Sequence, residues 1–317
     1  KGFLSFDFVR KSWLEVRQAD VVIVNLPQFE GVIPAFFAKL NHKKVITIYH
    51  CEVLLPAGFI NSIIQRVLEV SNMATLMLAD HVVTYTEDFA RNSRLLVMLA
   101  LWRKKSIQHV VYPPVPVPVV GAAVVARLKK KIGRTDITIG VAARLAAEKG
   151  LEYLFEAIPL LKKEYKNKVV KVVVAGPLAP VGEEAYRKKI AKIVTKYRTH
   201  TVFLGNLRAW DMGSFYSILD VLVLPSVNST ESFGMVQVEA MMTGVPVVAS
   251  DLPGVRVPIQ RTGMGVLVPP QDSERLAVAI HDVIANRARY VKPKEHILKE
   301  FSMDNTVAFY ESIWQQP

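Results

Sequence analysis

The sequence predicts an α/β protein built from two doubly wound parallel-sheet domains. Three observations predict it. Short apolar runs recur along the chain, each bounded by turn residues. Segments with helical apolar spacing lie between them, the alternation that marks parallel strands covered by helices. One proline-rich stretch, Tyr112 to Pro118, breaks the alternation once.

The elements follow in order. Val21–Asn25, Lys44–Tyr49, His81–Thr84 and Val110–Tyr112 read as buried strands, with helical patterns such as Phe29–Leu40 and Ile60–Leu78 between them. Pro113, Pro114, Pro116 and Pro118 then exclude both helix and central strand, so this stretch is a stiff connector. It divides a first domain, 1–118, from a second, 119–317. In the second domain Ile137–Val141, Val169–Ala175, Val202–Leu204, Val221–Leu224, Val247–Ala249 and Gly265–Val268 read as strands. Leu151, Leu154, Phe155, Ile158 and Leu161 share one face of an intervening helix. Asp304–Trp314 reads as a closing amphipathic helix, expected to pack back on the first domain.

Composition narrows the function classes. The chain has 317 residues, 51% of them hydrophobic, enough for two cores. Its single cysteine, Cys51, permits no internal disulfide and fits a reducing compartment. No stretch reaches the roughly 20 apolar residues of a membrane span, and residues 1–10 show no leader pattern. The expectation is a cytoplasmic protein, peripheral at the membrane face. Net charge is +12, concentrated between Leu161 and Trp210. These cations read as a solvated face, or as a surface for anionic membrane or phosphate-bearing substrate. They lack the interleaved aromatics of a nucleic-acid platform, so no nucleic acid is expected. The apolar run within Arg91–Lys105 reads equally as a membrane-resting segment or a core helix with a basic end.

Ligands of open α/β sheets bind beyond the carboxyl ends of the strands, so residues just after strands are the candidates. Arg144 follows the strand ending Gly140-Val141, and Lys149 stands at the next helix start. Two cations beside a helix dipole suit a diphosphate, while the plain alternative is surface pairing with Glu148. After Val221–Leu224 comes a polar loop, with a helix expected to open near Ser232. Glu231 would sit at its mouth and Glu239 two turns along it. Gly234 lets a ligand approach backbone. Glu239 lies among Val236, Val238, Ala240, Met241 and Met242, so it reads as a buried ion pair or a ligand contact. Gly244-Val245-Pro246 through Pro253-Gly254 alone is turn punctuation around a strand.

In combination, Arg144-x4-Lys149, Glu231-x7-Glu239 and Ala240 through Ser250 resemble the carboxyl-terminal domain of glycosyltransferase family four, the glycosyl transferases group 1. The resemblance covers about Ile137 to Asn286. It implies a GT-B fold, two Rossmann-like domains facing a cleft, and a retaining, metal-independent transfer of a hexose from a nucleotide-diphosphate sugar. The acceptor would be a hydroxyl on a glycan or a lipid-linked molecule. Residue by residue, it implies that Arg144 and Lys149 neutralise the diphosphate and that Glu231 holds sugar hydroxyls. Ser232, Phe233, Gly234 and Met235 would line the donor, Glu239 would bind ribose, and Gly205, Asn206 and Leu207 would meet the base. His50 matches the cleft-lining histidine, its plain alternative being a hydrogen-bonded core residue. Family members open on a strand and a Gly-rich loop that this sequence does not show, so an incomplete first domain is expected. Val257 stands where many relatives carry Glu. The second function class is a non-catalytic or partner-dependent nucleotide-sugar-binding subunit. Dehydrogenase chemistry is disfavoured, since no Gly-x-Gly-x-x-Gly follows a strand.

Overall fold

A computed structural model describes residues 5–102, 108–179 and 182–315. In chain order the elements are α1 Phe6–Gln18, β1 Val21–Leu26, α2 Val32–Leu40, β2 Lys44–Tyr49, α3 Phe59–Leu78, β3 His81–Thr84, α4 Glu87–Asn92, α5 Arg94–Trp102 and β4 Gln108–Val110. Then follow α6 Ala122–Ile132, β5 Ile137–Ala142, α7 Leu151–Glu164, β6 Val170–Ala175, α8 Glu184–Lys196, β7 Thr201–Gly205, α9 Met212–Tyr216 and β8 Val221–Leu224. The rest are α10 Met235–Met242, β9 Val247–Ser250, α11 Val257–Thr262, β10 Gly265–Val268, α12 Ser273–Ala285, α13 Arg287–Tyr290, α14 Lys294–Glu300 and α15 Met303–Gln315. The chain divides into two compact units. The first gathers the residues up to Pro113, Ser229–Ser232 and the residues from Asp304 on; the second holds Pro114–Asn228 and Phe233–Met303.

The first unit carries four parallel strands in the order β1-β2-β3-β4. The connections between strands taken in sequence put α2, α3, α4 and α5 on one face. There Val24, Val45, Tyr49, Leu76, Val82, Phe89, Leu96 and Leu99 form a buried core. On the other face Ile46 and Val83 pack against Ile313, flanked by Phe309 and Tyr310 of α15. Lys44, at the start of β2, reaches the end of that helix through the carbonyls of Ile313 and Trp314 at 3.4 and 3.3 Å.

The second unit has six parallel strands in the order β10-β9-β8-β5-β6-β7. The order reverses between β5 and β8, which makes this sheet doubly wound. Leu151, Leu154, Phe155, Ile158 and Leu161 of α7 are all 1% exposed or less, as their common face predicts. Each such side chain contributes about 1.5–3 kcal/mol on burial.

One device recurs in both units. An aspartate just before a strand ties down the strand beside it. Asp80 accepts from the Val45 amide at 2.8 Å, Asp136 from Val169 at 2.7 Å, and Asp220 from Thr138 at 2.7 Å. The amino ends of these sheets are thereby closed by carboxylates.

Several expected boundaries move. The fourth strand is Gln108–Val110 and not Val110–Tyr112, because Pro113 and Pro114 offer no N–H to extend a ladder. The helix expected from Phe29 starts at Val32, after a turn closed by the Ile33 amide on Glu30 (3.0 Å). α1 has no counterpart in the sequence reading. Its only buried side chain is Val16, and its start is fixed by the Ser5 hydroxyl accepting from the Phe8 amide at 3.0 Å. The run at Leu95–Trp102 forms α5, whose Leu95, Leu96 and Leu99 enter the core while Leu101 and Trp102 stay exposed. Arg103, Lys104 and Lys105 lie outside the described residues. The cations of α8, from Arg187 to Lys196, line its solvent face. No described helix is long and apolar enough to cross a membrane.

Candidate functional site

The topology of the second unit selects where a ligand binds. In an open sheet the crevice lies beyond the carboxyl ends of the strands where their order reverses, here β5 and β8. The loop after β5 carries Arg144 and leads through a short 3-10 turn, Ala147–Lys149, to Gly150 and α7. The loop after β8 starts at Pro225 and Ser226. The two loops are joined: the Val227 amide donates to the Glu148 carbonyl at 3.0 Å. Gly150 is left-handed (φ +59°), and a Cβ there would lie 2.2 Å from the Pro225 carbonyl oxygen. Only glycine meets both demands.

Arg144 is partly exposed and paired with Glu148 at 2.5 Å, the plain alternative of the sequence reading. A guanidinium has five N–H donors, so this pair leaves capacity for an anion. Lys149 closes the 3-10 turn next to Gly150.

The helix after β8 opens later than expected. It starts at Met235, because Gly234 is left-handed (φ +76°) and a Cβ there would meet Leu224 at 2.5 Å. Glu231 therefore precedes the helix, and Glu239 lies one turn into it, so the two carboxylates do not share a helix face. Among the described residues no side chain caps this helix start. Its first turn presents backbone amides to any anion held there. Phe233 is buried edge-on against Phe301. Ser226 is fully buried, and its hydroxyl has no hydrogen-bond partner among the described residues.

Among the described residues no cation pairs with Glu239. Its carboxylate accepts from the buried Tyr216 hydroxyl at 2.5 Å. Burial pushes its pKa up, and the Tyr216 hydrogen bond pulls it partly back. The Tyr216 hydroxyl is itself raised by burial and by the carboxylate. At the end of β7, Gly205, Asn206 and Leu207 pass beside a hollow of about 300 Å³, whose lining includes Arg127, Lys131 and Arg208. Lys131 donates to the Leu204 carbonyl at 3.0 Å, and Arg127 pairs with Asp211 at 2.9 Å.

In the first unit His50 follows β2, and its amide continues the ladder onto Leu26 at 2.9 Å. Its Nε2 lies 2.8 Å from Asn25 Oδ1, and its Nδ1 bonds the Tyr85 hydroxyl. Burial lowers its pKa. The Ser232 hydroxyl donates to the His50 carbonyl. Nearby, Ser229 donates to Glu52 at 3.0 Å, and Glu52 accepts the Arg94 amide at 3.1 Å. Glu231 and Ser232 thus belong to the same compact unit as His50, while Arg144, Lys149, Gly205, Asn206, Leu207, Phe233, Gly234, Met235 and Glu239 belong to the other.

Sequence reasoning missed Asn25, Tyr85 and Tyr216. The first two carry a signal in register: Val21-x-Ile23-x-Asn25, Ile46-x-Ile48-x-His50 and His81-x-Val83-x-Tyr85 each end one sheet face on a polar side chain. Tyr216 reaches Glu239 from 23 residues away, with no local pattern to mark it.

Two parallel-sheet α/β units give the chain the GT-B fold. Residues 125–300, more than half of the chain, match the sequence profile of the family Glycosyl transferases group 1. The chain belongs to that family. It is 30% identical over 167 residues to the uncharacterized glycosyltransferase MJ1607 of Methanocaldococcus jannaschii, covering 51% of this chain and 40% of that protein. It is 29% identical over 189 residues to D-inositol 3-phosphate glycosyltransferase of Corynebacterium urealyticum, covering 56% and 44%. With phosphatidyl-myo-inositol mannosyltransferase of Mycobacterium leprae it shares 32% over 164 residues, covering 51% and 41%. The matches thus span less than half the length of each of these relatives. The crystal structure of Anabaena Alr3699/HepE in complex with UDP-glucose has the same fold, with TM-score 0.76 and 19% identity over 96% of this chain and 81% of that one. Sucrose-phosphate synthase from Thermosynechococcus elongatus gives TM-score 0.71 and 21% identity over 97% and 77%.

Proposed function

We propose that the protein is a retaining glycosyltransferase that moves a hexose from a nucleotide-diphosphate sugar to an acceptor hydroxyl without a metal. The observation that carries this reading is the switch point of the second sheet. There the loop carrying Arg144 and Lys149 is joined to the loop after β8, which leads to the start of α10. We assign the donor diphosphate to these groups. The ribose hydroxyls go to Glu239, the base to backbone at Gly205, Asn206 and Leu207, and the transferred sugar's hydroxyls to Glu231. Backbone at Ser232, Phe233, Gly234 and Met235 lines the donor.

The reaction breaks the bond between the anomeric carbon and the diphosphate oxygen. The acceptor oxygen attacks from the face the diphosphate leaves, and its proton passes to the leaving group. Negative charge grows on the diphosphate as the bond breaks. Fixed cations beside it stabilise the transition state more than the ground state, the role a metal plays elsewhere. The names of relatives that act on inositol phosphate or phosphatidylinositol support an acceptor hydroxyl on a glycan or lipid-linked molecule. That reading also favours a cytoplasmic protein that works at a membrane surface.

Calorimetric titration with UDP-, GDP- and ADP-sugars in the absence of metal tests the reading. Saturable binding of one donor, lost in Glu239→Ala, is expected. NMR of the product should then show the donor's anomeric configuration kept. Binding that requires added divalent metal, or an inverted product, overturns the metal-free, retaining assignment.

A further inference from the structure

The carboxyl end of the first sheet holds three polar side chains linked in a row. The register explains why they meet. Asn25 lies opposite Ile48 on β2, and Ile48 lies opposite Val83 on β3. Two residues further on, His50 and Tyr85 lie on the same face as Ile48 and Val83. That face is apolar through its middle, with Val21, Ile46, Ile48 and Val83 under α15, and ends on this polar row at its carboxyl end.

The hydrogen bonds in this row have one consistent direction. Asn25 presents its carbonyl oxygen to His50 Nε2 at 2.8 Å, so Nε2 carries the proton. Nδ1 then has a lone pair and accepts from the Tyr85 hydroxyl. With the other tautomer, a nitrogen lone pair would face the Asn25 oxygen. We propose that Asn25 and Tyr85 are positioning residues that hold His50 as the neutral Nε2–H imidazole. Its one N–H then lies on the side of the exposed Asn25, and the half-buried Tyr85 closes the other. Resting on the glycosyltransferase reading, both ring nitrogens are then occupied, Nε2–H by Asn25 and Nδ1 by Tyr85, so His50 is not a base for the acceptor.

Burial supports the neutral form, since it lowers the His50 pKa and raises the Tyr85 hydroxyl's. The other titratable groups around the row are Cys51, next in the chain, Tyr310 of α15, which raises Tyr85 further, and Glu52. Glu231 precedes Ser232, whose hydroxyl reaches the His50 carbonyl. Asn25 itself carries no charge, so a carboxylate in its place changes the balance directly.

Long-range proton–nitrogen NMR of histidine-labelled protein, followed through a pH titration, tests the proposal without any substrate. The wild type should show His50 neutral, with its proton on Nε2, through neutral pH. Asn25→Asp should raise the His50 pKa by about one unit or more, because an adjacent carboxylate favours imidazolium. Tyr85→Phe should move the Nδ1 resonance to the position of an unbonded nitrogen. A proton on Nδ1 in the wild type overturns the proposal. So does a His50 titration and Nδ1 resonance unchanged in both variants. Donor binding is measured separately by calorimetry. A wrong tautomer with intact binding sinks only this inference, and the right tautomer with no donor bound sinks only the glycosyltransferase reading.

Discussion

The two sheets prepare their carboxyl ends by opposite means. In the second, the site is made of backbone and charge. Gly150 lets one loop lie on the Pro225 carbonyl, Gly234 lets α10 start against Leu224, and Arg144 and Lys149 stand beside these turns. In the first, the site is made of side chains that hold one another: Asn25, His50 and Tyr85. A loop pressed against a neighbouring carbonyl cannot carry bulk, whereas an imidazole held in one tautomer needs a partner on each nitrogen. The contrast predicts that the turns of the second site break when atoms are added, and the first site when a partner side chain is changed.

The largest effect should come from Gly150→Ala. The left-handed backbone and a Cβ 2.2 Å from a carbonyl oxygen together should cost about 2–4 kcal/mol. Chemical denaturation followed by fluorescence would measure it. A loss under about 0.5 kcal/mol would mean that the junction of the two loops is soft, and that the backbone half of the comparison fails. Next, Lys149→Ala should lower turnover by roughly 10²-fold or more with the fold intact, the scale of a lost transition-state stabiliser. Near-normal kcat with the donor found by calorimetry would sink the diphosphate assignment.

This difference also explains what could be read beforehand. Strands β2, β3, β8 and β10 were placed to the residue, because buried parallel strands are continuous apolar runs. Arg144, Lys149 and Gly234 could be singled out because they follow strand ends, where ligands of open sheets bind. The start of α10 was misjudged by three residues because a left-handed Gly234 and a polar run ending at Ser232 look alike on paper. Tyr216 beneath Glu239 was invisible, since a side-chain pair leaves no local trace. Asn25 and Tyr85 were legible only once the register of three strands was known. α1 went unseen because it buries a single residue, Val16, too little to print a helical period.

Glu239 sharpens the comparison, since it is one side-chain pair inside the backbone-built site. Its carboxyl is raised by burial, so in the window between the ordinary carboxylate range and its raised value the folded state binds more protons than the unfolded state. Stability of the ligand-free protein should therefore fall as the pH rises through that window. Glu239→Gln keeps an oxygen for the Tyr216 hydroxyl and removes the charge. It should abolish that slope and raise the thermal midpoint at neutral pH, while weakening donor binding about tenfold or more through the lost charged hydrogen bond. Thermal melts across pH, paired with calorimetry, separate the two effects. A variant that loses stability at neutral pH would show that the carboxylate is structural.

The smallest effect should come from Ser226→Ala. Ser226 is fully buried where β8 leaves the sheet, and its hydroxyl has no partner among the described residues. A buried donor left unsatisfied is a cost, so removing it should change stability by no more than about 0.5 kcal/mol, or raise it. Donor affinity should hold, because the loop is set by the Val227 amide on Glu148 and by the contact of Gly150 with Pro225, neither of which uses the hydroxyl. If Ser226→Ala instead lost donor binding at unchanged stability, that hydroxyl would be the ligand's partner. The second site would then rest on a chosen side chain as the first does, and the contrast between the two sheets would narrow to their glycines.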